Sequence, residues 1–194
     1  MIDYLKGKLV EKSPTYAIVE CGGIGYFVNV SVTTYGLLPD TETCLIWTHF
    51  IVREDAQVLY GFADKDERDV FRKLISVNGV GANTARMILS GMNPNEVRST
   101  IQNQNADALK GIKGIGAKSA QRIIIDLHDK ISGLENNQEN IIVVGNSVKN
   151  DALIALSSLG FDKTKTDKTL DKLISVEGSE LSVEKLIKLA LKQL

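Results

Sequence analysis

Cysteine, histidine and proline are scarce in this chain, and each scarcity removes a class of function. Its 194 residues hold two cysteines, two histidines, three prolines and one tryptophan. Cys21 and Cys44 stand far apart in strand-like text, so neither a disulfide framework nor a Cys-X-X-Cys site is expected. His49 and His128 cannot build a histidine-rich metal site, and no metal or cofactor is expected. No run of about 18 apolar residues occurs, so no spanning helix is predicted. The opening, Met1 to Lys12, alternates and carries charge where a signal peptide would have an apolar stretch, which predicts a cytoplasmic protein. A net charge of −1 excludes a uniformly basic, histone-like binder of nucleic acid but leaves room for a local patch.

With 43% hydrophobic and 24% charged residues, the chain has the balance of a folded protein rather than a disordered tail. Its charge is unevenly spread. Residues 1–63 hold 4 Lys/Arg against 7 Asp/Glu, residues 64–133 hold 11 against 8, and residues 134–194 hold 8 against 9. Only the middle is basic, and its last stretch carries Lys110, Lys113, Lys118, Arg122 and Lys130. Phosphate, if bound, is bound there.

The first 62 residues predict five short strands: around Leu5–Leu9, Tyr16–Val19, Ile24–Val30, Cys44–Val52 and Gln57–Phe62, with a loop through Gly36 and Pro39. Five strands in that length suit a small closed barrel, of OB type or, in competition, SH3-like. Cys21, Cys44, Trp47 and His49 read as barrel packing. From Asp64 the period turns helical: Asp64 caps with Glu67 three residues on, Asn93-Pro94-Asn95-Glu96 opens a second helix, Asn105 caps a short third, and residues 117–132 form the longest. Residues 134–147 read as a linker, although Ile141 to Val144 are too apolar to hang free and either dock on a neighbour or form a short strand. Helices over Asp151–Leu159, Asp167–Ser175 and after Ser182 complete a three-helix bundle, with Leu186, Ile187, Ala190, Leu191 and Leu194 as core. The expected division is a barrel over 1–63, a helical domain over 64–133, a linker over 134–147 and a bundle over 148–194.

A repeat with an offset of 35 residues dominates the middle. Leu74 to Ile88 aligns with Leu109 to Ile123, matching Gly79 to Gly114, Gly81 to Gly116, Ala85 to Ala120 and Thr84 to Ser119. Each copy reads helix, apolar-X-Gly-apolar-Gly, helix. The first glycine permits positive φ, the second lets the backbone approach a ligand closely, and Val80 or Ile115 between them pins the turn. The helix that follows at once offers free N–H groups and the positive end of its dipole, which together make a phosphate site. Thr84 or Ser119, and Lys118 with Arg122, complete it. A dinucleotide fingerprint would need a third glycine and a preceding strand. A P-loop would need its lysine one residue earlier than Lys118. Two cradles instead suit a grip on duplex backbone that reads no bases.

These are helix–hairpin–helix motifs, and Val77 to Gly81 with Ile112 to Lys118 resemble the tandem hairpins of the RuvA family, bacterial proteins that bind Holliday junctions. Met1 to Gly7, Thr48 to Phe62 and Leu89 to Met92 are similar to that family too. The likeness is strong over 1–133 and rests on length and helix pattern beyond. The resemblance implies an OB-fold barrel, a tandem hairpin domain and a three-helix domain. It implies a homotetramer, or an octamer of two tetramers around the DNA, that holds an open four-way junction. It implies that the C-terminal domain, 148–194, docks a hexameric AAA+ ATPase, RuvB, in recombination and repair; a junction resolvase is a further partner. The chain itself would hydrolyse nothing. Carried over by position, Gly79, Val80, Gly81, Asn83 and Thr84 with Gly114, Ile115, Gly116, Lys118, Ser119 and Arg122 contact phosphate, and Glu54 and Asp55 form an acidic pin at the junction centre.

The sequence departs from the family where Asn83 stands in place of a common lysine, and where Ala117 replaces a second basic residue. Arg86 either supplies the missing charge or is a surface helix residue. A hairpin-containing glycosylase or nuclease is the rival reading, for which Glu54-Asp55 is the one tempting pair and lacks a third carboxylate. A single-strand binder working through the barrel is disfavoured by that segment's acidity.

Overall fold

A computed structural model describes residues 1–40, 43–132, 144–177 and 181–194. Five strands are formed by β1 (Tyr4–Ser13), β2 (Tyr16–Cys21), β3 (Ile24–Val30), β4 (Thr43–Val52) and β5 (Gln57–Phe62). They close in the order β1-β2-β3-β5-β4, with β3 and β5 parallel and the other neighbours antiparallel. That order decides for the OB barrel over the SH3-like one. Inward residues alternate along each strand, and Ala17, Val19, Val28, Val30 and Ile46 fill the interior. A bulge between Leu9 and Glu11 breaks the register of β1 against β2, and such an extra residue bends a strand in the way closure requires. At Gly61 a Cβ would come within 2.6 Å of side chains on both Val28 and Ile46, so glycine is what lets β5 pass there.

The segment expected to be a loop through Gly36 instead contains a short helix, α1 (Val32–Leu37). Its β-branched residues conceal it from propensity. Ser31 caps it by accepting from the Thr34 N–H, and the hydroxyls of Ser31 and Thr34 both donate to the buried carboxylate of Glu67. Burial pushes the Glu67 pKa above the usual glutamate range, against the pull of those two donors. Tertiary partners therefore hold α1 in place.

Five helices follow: α2 (Lys65–Ile75), α3 (Ala82–Gly91), α4 (Pro94–Gln102), α5 (Ala106–Lys110) and α6 (Ala117–Ser132). Asp64, Asn93 and Asn105 cap α2, α4 and α5 with their side chains, and Asn93 with Glu96 forms a complete capping box. Phe71 of α2 is fully buried against Tyr60 and Phe62 of β5 and the ring of His49 on β4. The outer wall of the barrel and the helices thus share one core. Arg68 reinforces the join: its Nη1 donates to the Asp3 carbonyl and carboxylate at 2.9 and 2.7 Å, while its guanidinium lies over Trp47. His49 accepts from Arg72 Nε at 3.4 Å, and burial first, then Arg72 and Arg68, lowers its pKa below the ordinary histidine range. Cys44 is buried in the barrel and Cys21 half-buried, both as free thiols.

Barrel and hairpin helices belong to one compact unit, Met1–Glu135, and the rest, Asn136–Leu194, forms a second. Within the second, α7 (Val144–Ser158), α8 (Lys163–Glu177) and α9 (Val183–Ala190) bury Ala152, Leu156, Leu170, Leu186 and Ala190. Of the expected linker, 134–143 lies outside the described residues, as do Ile141 to Val143 of its apolar run, and α7 takes in the remaining 144–147. α8 begins four residues before the expected Asp167, because Asp162 accepts from the Lys165 N–H and starts it earlier. Leu191, expected in the core, is 44% exposed: the helix ends on it, which turns its side chain outward.

Candidate nucleic-acid interface

Both repeat copies fold to the same local geometry. After α2, the Val80 N–H donates to the Val77 carbonyl at 3.0 Å across a turn in which Gly79 has φ +89°. After α5, the Ile115 N–H donates to Ile112 at 3.1 Å, and Gly114 has φ +91°. An L side chain is strained at that φ, so the first glycine of each pair is dictated by the turn itself. Val77, Val80 and Ile115 are buried and Ile112 packs on the core, so each loop is pinned from below.

The second glycine has a different basis. Gly81 opens α3 at φ −81°, which any residue adopts, and a Cβ there would meet nothing within 4 Å. The same space is open at Gly116, whose carbonyl accepts the first turn of α6 from the Ala120 N–H. The fold has no use for glycine at either place. What a bare backbone provides there is access for something outside the chain. Consistently, α3 has no side-chain cap, whereas α1, α2, α4, α5 and α9 each have one. Its first N–H groups stay open to an anion, and the dipole favours one.

Side chains around the two hairpins differ. Lys113 and Lys118 are exposed and make no ion pair among the described residues; Ser119 stands beside them, and Arg122 reaches Asp126 only at 3.8 Å. Several other cations of the basic segment are engaged: Arg68 pairs with Asp3, Arg98 with Asp66 and Lys110 with Asp107, Lys65 lies over Trp47, and Lys73 donates to the Lys130 carbonyl. Lys113 and Lys118 thus bring unpaired positive charge to the second hairpin. At the first, Asn83 is exposed and its Oδ1 accepts from the Tyr60 hydroxyl at 3.3 Å, and Thr84 is half-buried. Arg86 is neither an idle surface residue nor part of an ion pair. Its Nη1 donates to the Thr15 carbonyl at 3.0 Å and to Asn29 Oδ1 at 3.2 Å, both on the barrel. Sequence reasoning did not reach these barrel partners, because no local pattern joins residues 57 to 71 positions apart.

Glu54 and Asp55 stand exposed at the tip of the β4–β5 hairpin, which Arg53 N–H closes onto the Ala56 carbonyl at 2.8 Å. Among the described residues no group of three or more His, Cys, Asp and Glu side chains is arranged to hold a metal ion. An open cleft of about 730 Å³ lies elsewhere, between α1 and the starts of α2 and α4; its charged lining residues, Asp64, Asp66 and Glu96, are all acidic, a poor host for phosphate. No helix among the described residues is long and apolar enough to cross a membrane.

Comparison with known proteins follows the same divisions. Residues 1–61 match the RuvA N terminal domain, 71–129 the SAM-like helix-hairpin-helix tandem, and 147–194 the RuvA C-terminal domain. The chain is 47% identical over 194 residues to the Holliday junction branch migration complex subunit RuvA of Christiangramia forsetii, 45% identical over 194 to that of Flavobacterium psychrophilum, and 46% identical over 204 aligned positions to that of Porphyromonas gingivalis. In all three pairs the match covers 100% of both chains. Barrel, tandem hairpins and C-terminal helices thus occur in the family's order and over its full length, and the chain belongs to the RuvA family.

Proposed function

We propose that this chain binds four-way Holliday junctions by their shape, grips their phosphates without reading sequence, and recruits a RuvB-like hexameric ATPase that drives branch migration in recombination and repair. The observation that carries the reading is the second glycine of each hairpin. Gly81 and Gly116 leave backbone bare at the start of a helix where the fold itself would accept a side chain. Gly79, Val80, Gly81, Asn83 and Thr84 form one phosphate contact, and Gly114, Ile115, Gly116, Lys118, Ser119 and Arg122 the other. Glu54 and Asp55 form the pin that repels duplex from the centre.

The division of labour runs along the chain: barrel 1–63, hairpins 64–133, a connection from 134 that ends where α7 begins at Val144, and motor-binding helices after it. The chain works as a homotetramer, or as two tetramers around the DNA, in the cytoplasm, with a resolvase able to join the complex. It is non-catalytic; ATP is hydrolysed by the partner.

A gel-shift series with labelled four-way junction, duplex and single strand, run with magnesium, tests this. Preferential binding of the junction without cutting is the expected result; cleavage would move the protein to the nuclease reading. A fragment ending at Gly133 keeps junction binding and loses stimulation of the ATPase.

A further inference from the structure

We propose that Arg86 is the cation of the first phosphate cradle, aimed by the barrel, and that it takes the place left by the neutral side chain of Asn83. The inference rests on the junction-binding reading. Asn83 and Arg86 lie three residues apart on α3 and so share one face. That face meets two barrel residues that are themselves neighbours, because Asn29 of β3 and Tyr60 of β5 are register partners. Tyr60 donates to Asn83, and Asn29 accepts from Arg86.

The orientation of Asn29 is fixed by a third bond. Its Nδ2 donates to the Leu59 carbonyl at 3.3 Å, which leaves Oδ1 for Arg86. With the Thr15 carbonyl, two neutral oxygens hold one terminal nitrogen of the guanidinium. No carboxylate pairs with it among the described residues, and the group is only half-buried. An arginine serving only to tie helix to barrel is best neutralised by an acid, as Arg68 is by Asp3. Arg86 is positioned and keeps its charge. A planar guanidinium with further N–H donors, held un-neutralised on the face of α3 that carries Asn83, suits a phosphodiester oxygen. Asn83 accepts from Tyr60 through Oδ1 and brings no charge of its own.

The test measures binding of the full-length chain to a four-way junction over a series of salt concentrations. Each phosphate neutralised contributes about 0.9 to the log–log slope. Arg86→Gln lowers that slope by about 0.9 for each protomer engaged, about 3.6 for a tetramer, and the affinity at least about tenfold; Arg86→Lys keeps the slope, and adding Asn83→Lys to Arg86→Gln recovers it. A slope left unchanged by Arg86→Gln overturns the proposal even if affinity falls, because a purely structural tie would weaken binding without changing the number of neutralised phosphates. Lys118→Ala run alongside separates the two levels. If it lowers the slope while Arg86→Gln does not, only this inference fails; if neither lowers it and the chain binds duplex as well as junction, the junction-binding reading fails with it.

Discussion

Gly79 and Gly114 turn the chain at nearly the same φ, +89° and +91°, and each turn is closed by the same hydrogen bond. Around that shared backbone the two hairpins have diverged. Ala82, just inside α3, is 5% exposed, while its counterpart Ala117 is exposed at the surface. α3 lies against the barrel and gives Asn83, Arg86 and the Leu89 carbonyl to partners there, the last accepting from Thr33 at 2.6 Å. α6 turns Lys118 and Arg122 to solvent. One motif, used twice, becomes an anchor where a neighbour covers its flank and a charged grip where none does. What surrounds the repeat, rather than the repeat itself, assigns the roles.

The comparison breaks most readily at the second hairpin. Lys118→Ala combined with Arg122→Ala is expected to weaken junction binding at least about a hundredfold, equally for every base sequence, and to lower the salt slope by about two for each protomer engaged. A loss that depends on base sequence would show direct readout instead. Gly116→Ala and Gly81→Ala come next. Each adds one Cβ where the protein has space, so the melting temperature moves by about 4 °C or less. Junction affinity falls several-fold in each, because the methyl stands where the phosphate would sit. An effect at Gly116 alone would mean that the first hairpin is purely structural.

Removing the acids at the barrel tip gives a smaller change. Like charges in partly excluded water repel appreciably, so Glu54→Ala with Asp55→Ala raises affinity for plain duplex more than for the junction. Both dissociation constants, taken at one salt concentration, measure the ratio, and an unchanged ratio makes these two ordinary turn residues. The smallest effect concerns the seam under α2. His49 has its pKa held below the ordinary 6.5, so the folded state binds its proton later than the unfolded chain does. Stability gained from neutral His49 is present above that ordinary value and lost as the pH falls towards the lowered one. The melting-temperature gap between parent and His49→Gln is expected to shrink over that window; a constant gap would mean that the imidazole binds its proton alike in the folded and unfolded chain.

The elements legible in the sequence are those with local causes. Asp64, Asn93, Asn105 and Ser182 each sit a fixed distance from the N–H they cap, so the starts of α2, α4, α5 and α9 could be read residue by residue. The hairpins were legible because one pattern recurs. α1 was not, since Val32, Thr33 and Thr34 favour strands and the helix is held by Glu67, Leu89 and Ser90, which lie more than thirty residues away along the chain. Arg86 could be named from the sequence as a nearby cation, but its two readings could not be separated there, because its partners Thr15 and Asn29 are set only once the barrel has closed beside α3. Leu191 fits the apolar spacing of α9 but falls where the helix stops, and periodicity carries no information past the last turn.

The uncapped start of α3 bears on how such a contact survives change. A grip built from main-chain N–H groups has no rotamers to freeze when the DNA arrives, so little ordering entropy is lost on binding. It also cannot be removed by changing the residue that supplies it, since every amino acid except proline brings the same donor. An added Cβ at Gly81, where the chain itself leaves open space, is instead expected to stand in the ligand's way. The residues beside it are correspondingly free to change, since the donor beneath them remains whichever side chain stands there.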